Sequence, residues 1–178
     1  MHPSASAKKL VAGLGVTGLS CARYLASRGE AFMVTDSRLE PPGLAQFLTD
    51  FPSVEIELGG FREETFVSAS EIIVSPGVSL KTPQLAAAIA AGVPITGDID
   101  IFSKTVKAPI VAVTGSNGKS TVVEILAAIL DRAEKNYGLG GNLDSQNAKP
   151  ALDLLLDSPR ELYVLEISSF QLETTASL

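Results

Sequence analysis

The stretch Val111-Ala112-Val113-Thr114-Gly115-Ser116-Asn117-Gly118-Lys119-Ser120-Thr121 decides how this chain folds. A short apolar run breaks at a glycine, turns through polar residues to a second glycine, and opens onto Lys-Ser-Thr and a periodic apolar segment. Strand, glycine turn and helix in that order make a nest of backbone N–H groups at a helix N-terminus. Such a nest holds a polyphosphate, a lysine beside it neutralises phosphate oxygens, and a serine hydroxyl ligates Mg²⁺. The string is shorter than the usual phosphate loop, whose leading glycine would fall at Val113. A Gly-x-x-Gly-Lys-Ser string can also be a plain helix-capping turn. The apolar strand before it and the apolar helix after it favour a loop for ATP phosphates, built from Gly115, Ser116, Asn117, Gly118, Lys119, Ser120 and Thr121.

Downstream, the spacing predicts a helix over 121–133, a short strand over 137–139, a helix over 151–156 and a strand over 162–167. About three strands of this second α/β unit therefore lie within the chain, and its helices have little to pack against. Glu166 ends the apolar run Leu162-Tyr163-Val164-Leu165. An acid at the end of a strand beside the phosphate-loop strand holds Mg²⁺, directly or through water. The alternative is a carboxylate leaving the sheet for solvent. Asn142, after Gly140-Gly141, either donates to a phosphate or caps the next segment, and spacing alone favours the cap.

Upstream, Lys107-Ala108-Pro109 reads as a linker, which places a boundary between domains 1–107 and 108–178. Residues 9–12, 31–35, 54–58, 71–74 and 93–96 read as strands. Residues 17–28, 82–91 and 97–102 read as helices, with another starting at Pro41-Pro42. Alternating strands and helices predict a mostly parallel sheet covered on both faces. Gly13-Leu14-Gly15-Val16-Thr17-Gly18 fits Gly-x-Gly-x-x-Gly between the first strand and its helix, and Asp36 closes the next strand. The first two glycines allow a tight turn and close approach of a diphosphate, and the third allows close helix–strand packing. A carboxylate at position 36 can accept hydrogen bonds from a nucleotide, and Arg38 can meet a phosphate or carbonyl oxygen. A packing turn with a solvated Asp is the plainer reading. Ser75-Pro76-Gly77 ends another strand, where open α/β sheets bind ligands, or is simply a turn.

Composition bounds the rest. At 178 residues, with 46% hydrophobic and 19% charged residues, the chain can bury a core. A net charge of −6 and no basic stripe argue against a nucleic-acid surface, so an anionic ligand must be held by local amides and a few cations. One cysteine, Cys21, excludes an internal disulfide and sits in a helical apolar stretch, where a buried small hydrophobe is favoured over a nucleophile. The only histidine, His2, is near the N-terminus. Lys8-Lys9 before an apolar stretch imitates a signal peptide, but structured glycines follow it and no usual cleavage site does. No apolar run approaches the roughly 20 residues a bilayer needs, so a soluble protein is expected.

Taken together these strings resemble the Mur ligases. The resemblance runs from Gly-Leu-Gly-Val-Thr-Gly-Leu-Ser-Cys at 13–21 through Thr-Asp-Ser-Arg at 35–38, Val-Ser-Pro-Gly at 74–77 and the phosphate loop to Glu-Ile-Ser-Ser-Phe-Gln-Leu-Glu-Thr-Thr at 166–175. The Gly-Asp-Ile-Asp string at 97–100 and Ser-Ser-Phe-Gln-Leu-Glu at 168–173 point to the branch that adds D-glutamate. The implied architecture is a Rossmann-like parallel-sheet domain followed by an incomplete P-loop ATPase α/β domain, the first binding a UDP-sugar and not NAD. By the resemblance, Gly15, Val16, Thr17, Asp36, Ser37 and Arg38 contact the uridine and diphosphate, and Ser75 and Gly77 line the same cleft. Asn142 and Ser168 reach the diphosphate from the second domain. Lys119 and Glu166 are the implied catalytic residues, and Ser120 and Glu166 the implied Mg²⁺ ligands.

The implied reaction is ATP-dependent ligation of D-glutamate to UDP-N-acetylmuramoyl-L-alanine through an acyl phosphate, in cytoplasmic peptidoglycan precursor synthesis. It implies a monomer acting on small molecules, with no nucleic-acid or membrane partner. Two departures from the family stand out. Asp144 replaces a glycine two residues after Asn142, in a loop 144–149 that is longer than the family's, and a carboxylate there weakens diphosphate binding unless the loop turns away. The family also continues past the position of Leu178 with a carbamylated lysine and a third domain, so a fragment inactive alone is expected. A non-catalytic UDP-sugar-binding module is the runner-up. An NAD-dependent oxidoreductase comes last, because it leaves the second glycine loop unexplained.

Overall fold

The structure, a computed structural model, describes residues 7–142 and 148–178. Asp144 and His2 lie outside the described residues. Two compact units emerge, Met1–Thr96 and Gly97–Leu178.

In the first unit, β1 (Lys9–Ala12), β2 (Phe32–Asp36), β3 (Ile56–Leu58), β4 (Glu71–Val74) and β5 (Ile95–Thr96) form one parallel sheet in the order β3-β2-β1-β4-β5. Helices α1 (Val16–Ser27), α2 (Leu44–Asp50), α3 (Glu63–Val67) and α4 (Pro83–Ala90) connect the strands. The central strands are continuous apolar runs because both faces are covered. Leu10, Ala12, Ile72 and Val74 pack with Phe66, Leu85 and Ala88, while Val11, Val34 and Ile73, which alternate onto the other face, are also fully buried. The chain steps outward from β1 to β3 and then returns to β4 on the other side of β1. That reversal leaves a crevice beyond the C-terminal ends of β1 and β4, where doubly wound sheets take ligands. The expected parallel α/β architecture is present.

The second unit holds β6 (Ile110–Val113), β7 (Tyr137–Gly141) and β8 (Leu162–Glu166) as a parallel sheet in the order β6-β8-β7. Around it lie α5 (Asp98–Thr105), α6 (Lys119–Arg132), a 3-10 helix (Ala151–Leu156) and α7 (Ser169–Leu172). Strand β6 is an edge, with Val111 and Ala112 exposed. On α6 only Val123 is fully buried, whereas Val122, Ile125 and Ile129 form an exposed apolar stripe. A sheet of three strands cannot cover both faces of a 14-residue helix.

The linker-like residues 107–109 suggest a boundary at 107, but the units divide at Thr96 and Gly97. Helix α5 belongs with the second unit because Ile99 and Phe102 are fully buried and the Phe102 ring meets Tyr163 edge-on at 5.1 Å. An apolar helix face shows in sequence, while its partner does not. Helices α3 and α7 span five and four residues, too short to show a period, and only the structure reveals them. Among the described residues no helix is long and apolar enough to cross a membrane.

Candidate functional site

In the first unit the glycine loop 13–18 is braced from three sides. The Gly13 N–H donates to the Thr35 carbonyl at 2.7 Å, and the Ser75 hydroxyl donates to the Gly13 carbonyl at 3.0 Å. A Cβ at Gly18 would fall 1.9 Å from the Gly13 oxygen, so only glycine lets α1 pack this close to the end of β1. Around Gly15, by contrast, a Cβ would meet nothing within 4 Å. Gly15 caps α1 without a side-chain hydrogen bond, and the first turn carries no acid. The helix N-terminus therefore presents N–H groups beside half-buried Gly15, exposed Val16 and half-buried Thr17.

Asp36 is 2% exposed and accepts from the Leu14 N–H at 2.7 Å. It also accepts from Arg38 three times, from its backbone N–H at 2.9 Å, Nε at 2.8 Å and Nη2 at 2.7 Å. Burial alone would raise its carboxyl, but the hydrogen bonds from Arg38 and from the Leu14 N–H outweigh burial and hold it below its ordinary value. A carboxylate this enclosed braces the loop and orients Arg38, whose side chain is 53% exposed, beside exposed Ser37. Arg38 is thus the exposed member of the pair, with the Asp36 carboxylate enclosed behind it. Ser75 is likewise buried and turned onto the loop, while Gly77 beyond it is exposed.

In the second unit, residues 114–118 are exposed, and Gly118 at φ +75° starts α6 in a left-handed conformation that a residue with a side chain rarely takes. As in α1, no side chain caps the helix and no acid occupies its first turn. Lys119 Nζ donates to the Gly115 carbonyl at 3.0 Å, so the ammonium lies across the loop it is expected to serve. Ser120 Oγ donates to Glu166 Oε2 at 2.7 Å. The register makes this contact: β6 and β8 run parallel with Val113 opposite Glu166, so the acid emerges beside the strand that feeds the loop. Glu166 is 4% exposed.

A hydroxyl and a carboxylate are hard oxygen ligands of the kind Mg²⁺ takes while keeping waters and phosphate oxygens as its remaining ligands. The pair fits that ion. Among the described residues no group of three or more His, Cys, Asp or Glu could hold a metal.

Asn142, exposed beyond β7, donates its N–H to the Glu166 carbonyl at 2.8 Å. Ser168 caps α7. Its Oγ accepts from the Gln171 N–H at 3.2 Å, and the Gln171 side chain accepts from the Ser168 N–H at 3.0 Å. The second unit therefore brings loop 115–121, Glu166, Asn142 and Ser168 to the C-terminal end of its sheet, and the first unit groups Gly15–Thr17, Arg38 and Ser75–Gly77 at the end of its own. Cys21 is buried, as a small hydrophobe would be.

A doubly wound parallel sheet with a glycine loop, followed by an α/β unit carrying a second glycine loop with Lys-Ser, defines a tandem α/β protein of P-loop type. Residues 7–97 match the family model described as Mur ligase MurD-like, N-terminal domain, and residues 113–178 match the Mur ligase middle domain. The chain belongs to the Mur ligase family. It is 48% identical over 178 residues to a UDP-N-acetylmuramoylalanine--D-glutamate ligase of Nitrosococcus oceani, covering 100% of this chain and 38% of that protein. It is 52% identical over 166 residues to the ligase of the same name from Pseudomonas aeruginosa, covering 93% and 36%. The chain thus spans a little over a third of the length of the curated relatives it matches. Among solved structures, UDP-N-acetylmuramate:L-alanyl-gamma-D-glutamyl-meso-diaminopimelate ligase of Neisseria meningitides aligns with TM-score 0.56 and 20% identity, over 90% of this chain and 52% of that one. That likeness speaks to the fold alone.

Proposed function

We propose that this chain carries the uridine-nucleotide half and the ATP-phosphate half of a cytoplasmic ligase. The reaction joins D-glutamate to UDP-N-acetylmuramoyl-L-alanine and converts ATP to ADP and phosphate, for peptidoglycan precursor synthesis. The observation that carries the reading is the 2.7 Å contact of Ser120 with Glu166 at the mouth of an uncapped glycine loop. Relatives at about half identity are named for this ligation.

In this reading an oxygen of the alanyl carboxylate attacks the γ-phosphorus, the bond to ADP breaks, and an acyl phosphate forms. The D-glutamate amine then attacks the acyl carbon, loses a proton and expels phosphate, leaving an amide. The first step brings two anions together, and the chain's residues answer that repulsion. The N–H groups of loop 115–121 cradle the phosphates. Lys119 exchanges the Gly115 carbonyl for a phosphate oxygen, and Ser120 and Glu166 hold Mg²⁺. Bound Mg²⁺ supplies charge screening and alignment of the phosphate oxygens. In the first unit the N–H groups of Gly15, Val16 and Thr17 hold the diphosphate, with Asp36, Ser37, Arg38, Ser75 and Gly77 bordering the nucleotide. Asn142 and Ser168 complete the substrate side.

Calorimetric titration with Mg·ATP, UDP and NADH tests this. Saturable binding of Mg·ATP and of UDP, with none of NADH, is expected. NADH binding without a UDP response, or no binding of ATP, overturns the reading.

A further inference from the structure

Within the strings 97–100 and 168–173, Asp98 and Gln171 stand apart from the groups assigned above to substrate and ATP, yet they are joined to each other. Gln171 Nε2 donates to Asp98 Oδ2 at 2.8 Å across 73 residues of sequence, and both side chains are buried, at 2% and 3% exposure. The amide's orientation is fixed, because Gln171 Oε1 is occupied by the Ser168 N–H. Its other end must therefore face an acceptor, and Asp98 supplies one. The same first turn of α5 adds a second tie. Asp100 Oδ1 accepts from the Ala176 N–H at 3.0 Å and from Ser177 Oγ at 3.3 Å, and Ser103 Oγ donates to the Ser177 carbonyl at 2.6 Å. Residues 168–177 are thus clamped at both ends by α5. Ser168 is two residues from Glu166, and the Ile167 N–H between them donates to the Val113 carbonyl at 2.9 Å, at the foot of the phosphate loop.

We propose that Asp98, acting through Gln171, is a positioning residue that holds the β8–α7 corner so that Glu166 faces Ser120 across the phosphate loop. Neither Asp98 nor Gln171 touches a nucleotide in this arrangement. Asp98 fixes the Gln171 amide, Gln171 fixes the Ser168 N–H and hydroxyl, and that cap fixes where β8 ends. Without the acceptor at position 98 the Gln171 side chain turns, the cap loosens and Glu166 loses its alignment. The burial of Asp98 supports this, since a carboxyl so enclosed is retained only where its hydrogen bonds are made. The inference rests on loop 115–121 being an ATP site.

The test is the gain in affinity for a non-hydrolysable ATP analogue on adding Mg²⁺, measured on the whole chain. Gln171→Met, which removes the amide at nearly constant length, should cut that gain by about tenfold, as loss of an outer-shell metal partner does. The affinity for the metal-free analogue should stay unchanged, which a general loss of folding would not produce. The double variant Asp98→Asn/Gln171→Glu exchanges amide and carboxylate between the two positions. The amide now at position 98 donates, and the carboxylate now at position 171 accepts both from it and from the Ser168 N–H. This variant should regain the wild-type gain. If Gln171→Met does not fold, Asp98→Ala carries the same expectation. A folded Gln171→Met or Asp98→Ala with the full gain overturns the proposal, as does a folded exchanged pair that regains none of it. A wild-type chain that binds no ATP analogue overturns the ATP reading itself, a result distinct from either.

Discussion

At the scale of single residues, the site depends on groups whose importance comes from what they touch. Gly18→Ala would drive a Cβ into the Gly13 carbonyl at 1.9 Å. It should cost about 2–3 kcal/mol in urea unfolding, since neither backbone can yield cheaply. Lys119→Ala removes a contact made on the surface. Stability should move by no more than about 0.5 kcal/mol, while ATP affinity falls on the order of tenfold or more by calorimetry. Asp36 and Asp98 should show opposite pH signatures. Hydrogen bonds depress Asp36, so its contribution is complete above the ordinary 3.8 and is lost as pH falls through its lower folded value. Burial raises Asp98 against the opposing hydrogen bonds from Gln171 and the Ile99 N–H, so its contribution is complete below 3.8 and is lost as pH rises through the folded value. Asp36→Asn should therefore be destabilising at pH 6 and much less so near pH 2. Asp98→Asn should therefore lower the melting temperature less at pH 7 than near pH 3.

At the scale of elements, short pieces fix the geometry of the long ones. Helix α7 has four residues, yet its capping box sets the corner after β8. Ser168→Ala should cost about 1 kcal/mol, seen as faster amide exchange at Gln171 and Leu172 while β1 and β4 keep their protection. Strand pairing acts more strongly still. Val113 pairs with Glu166 and Gly141 pairs with Glu166 from the other side, so three C-terminal strand ends meet at one acid. A one-residue slip of β8 would turn Glu166 to the other face of the sheet and part it from Ser120.

For the molecule as a whole, the chain is two cores, with α5 committed to the second. Phe102→Ala should cost about 3–5 kcal/mol and speed amide exchange in the 3-10 helix and β8, leaving the first unit's sheet unchanged. If instead protection dropped in β1–β5 and not in β8, α5 would belong to the first core. The net charge of −6 means that an anionic ligand meets an unfavourable overall field. A polyphosphate bound at the loop proposed for ATP would then depend on the local cradle of N–H groups and Lys119.

Sequence by itself determined what is local. Apolar alternation and glycine spacing fix the parallel α/β plan, both glycine loops, and the placing of Glu166 at a strand end, because these depend on neighbours a few residues apart. Tertiary structure decided whatever joins distant segments. It paired Ser120 with Glu166 across 46 residues and Gln171 with Asp98 across 73. It also turned Asp36 and Ser75 inward as braces and assigned α5 to the second core. A carboxylate at a strand end looks the same in sequence whether it faces a ligand or a backbone N–H. Only the folded chain settles which partner removes it from water, because burial without a partner costs too much to persist.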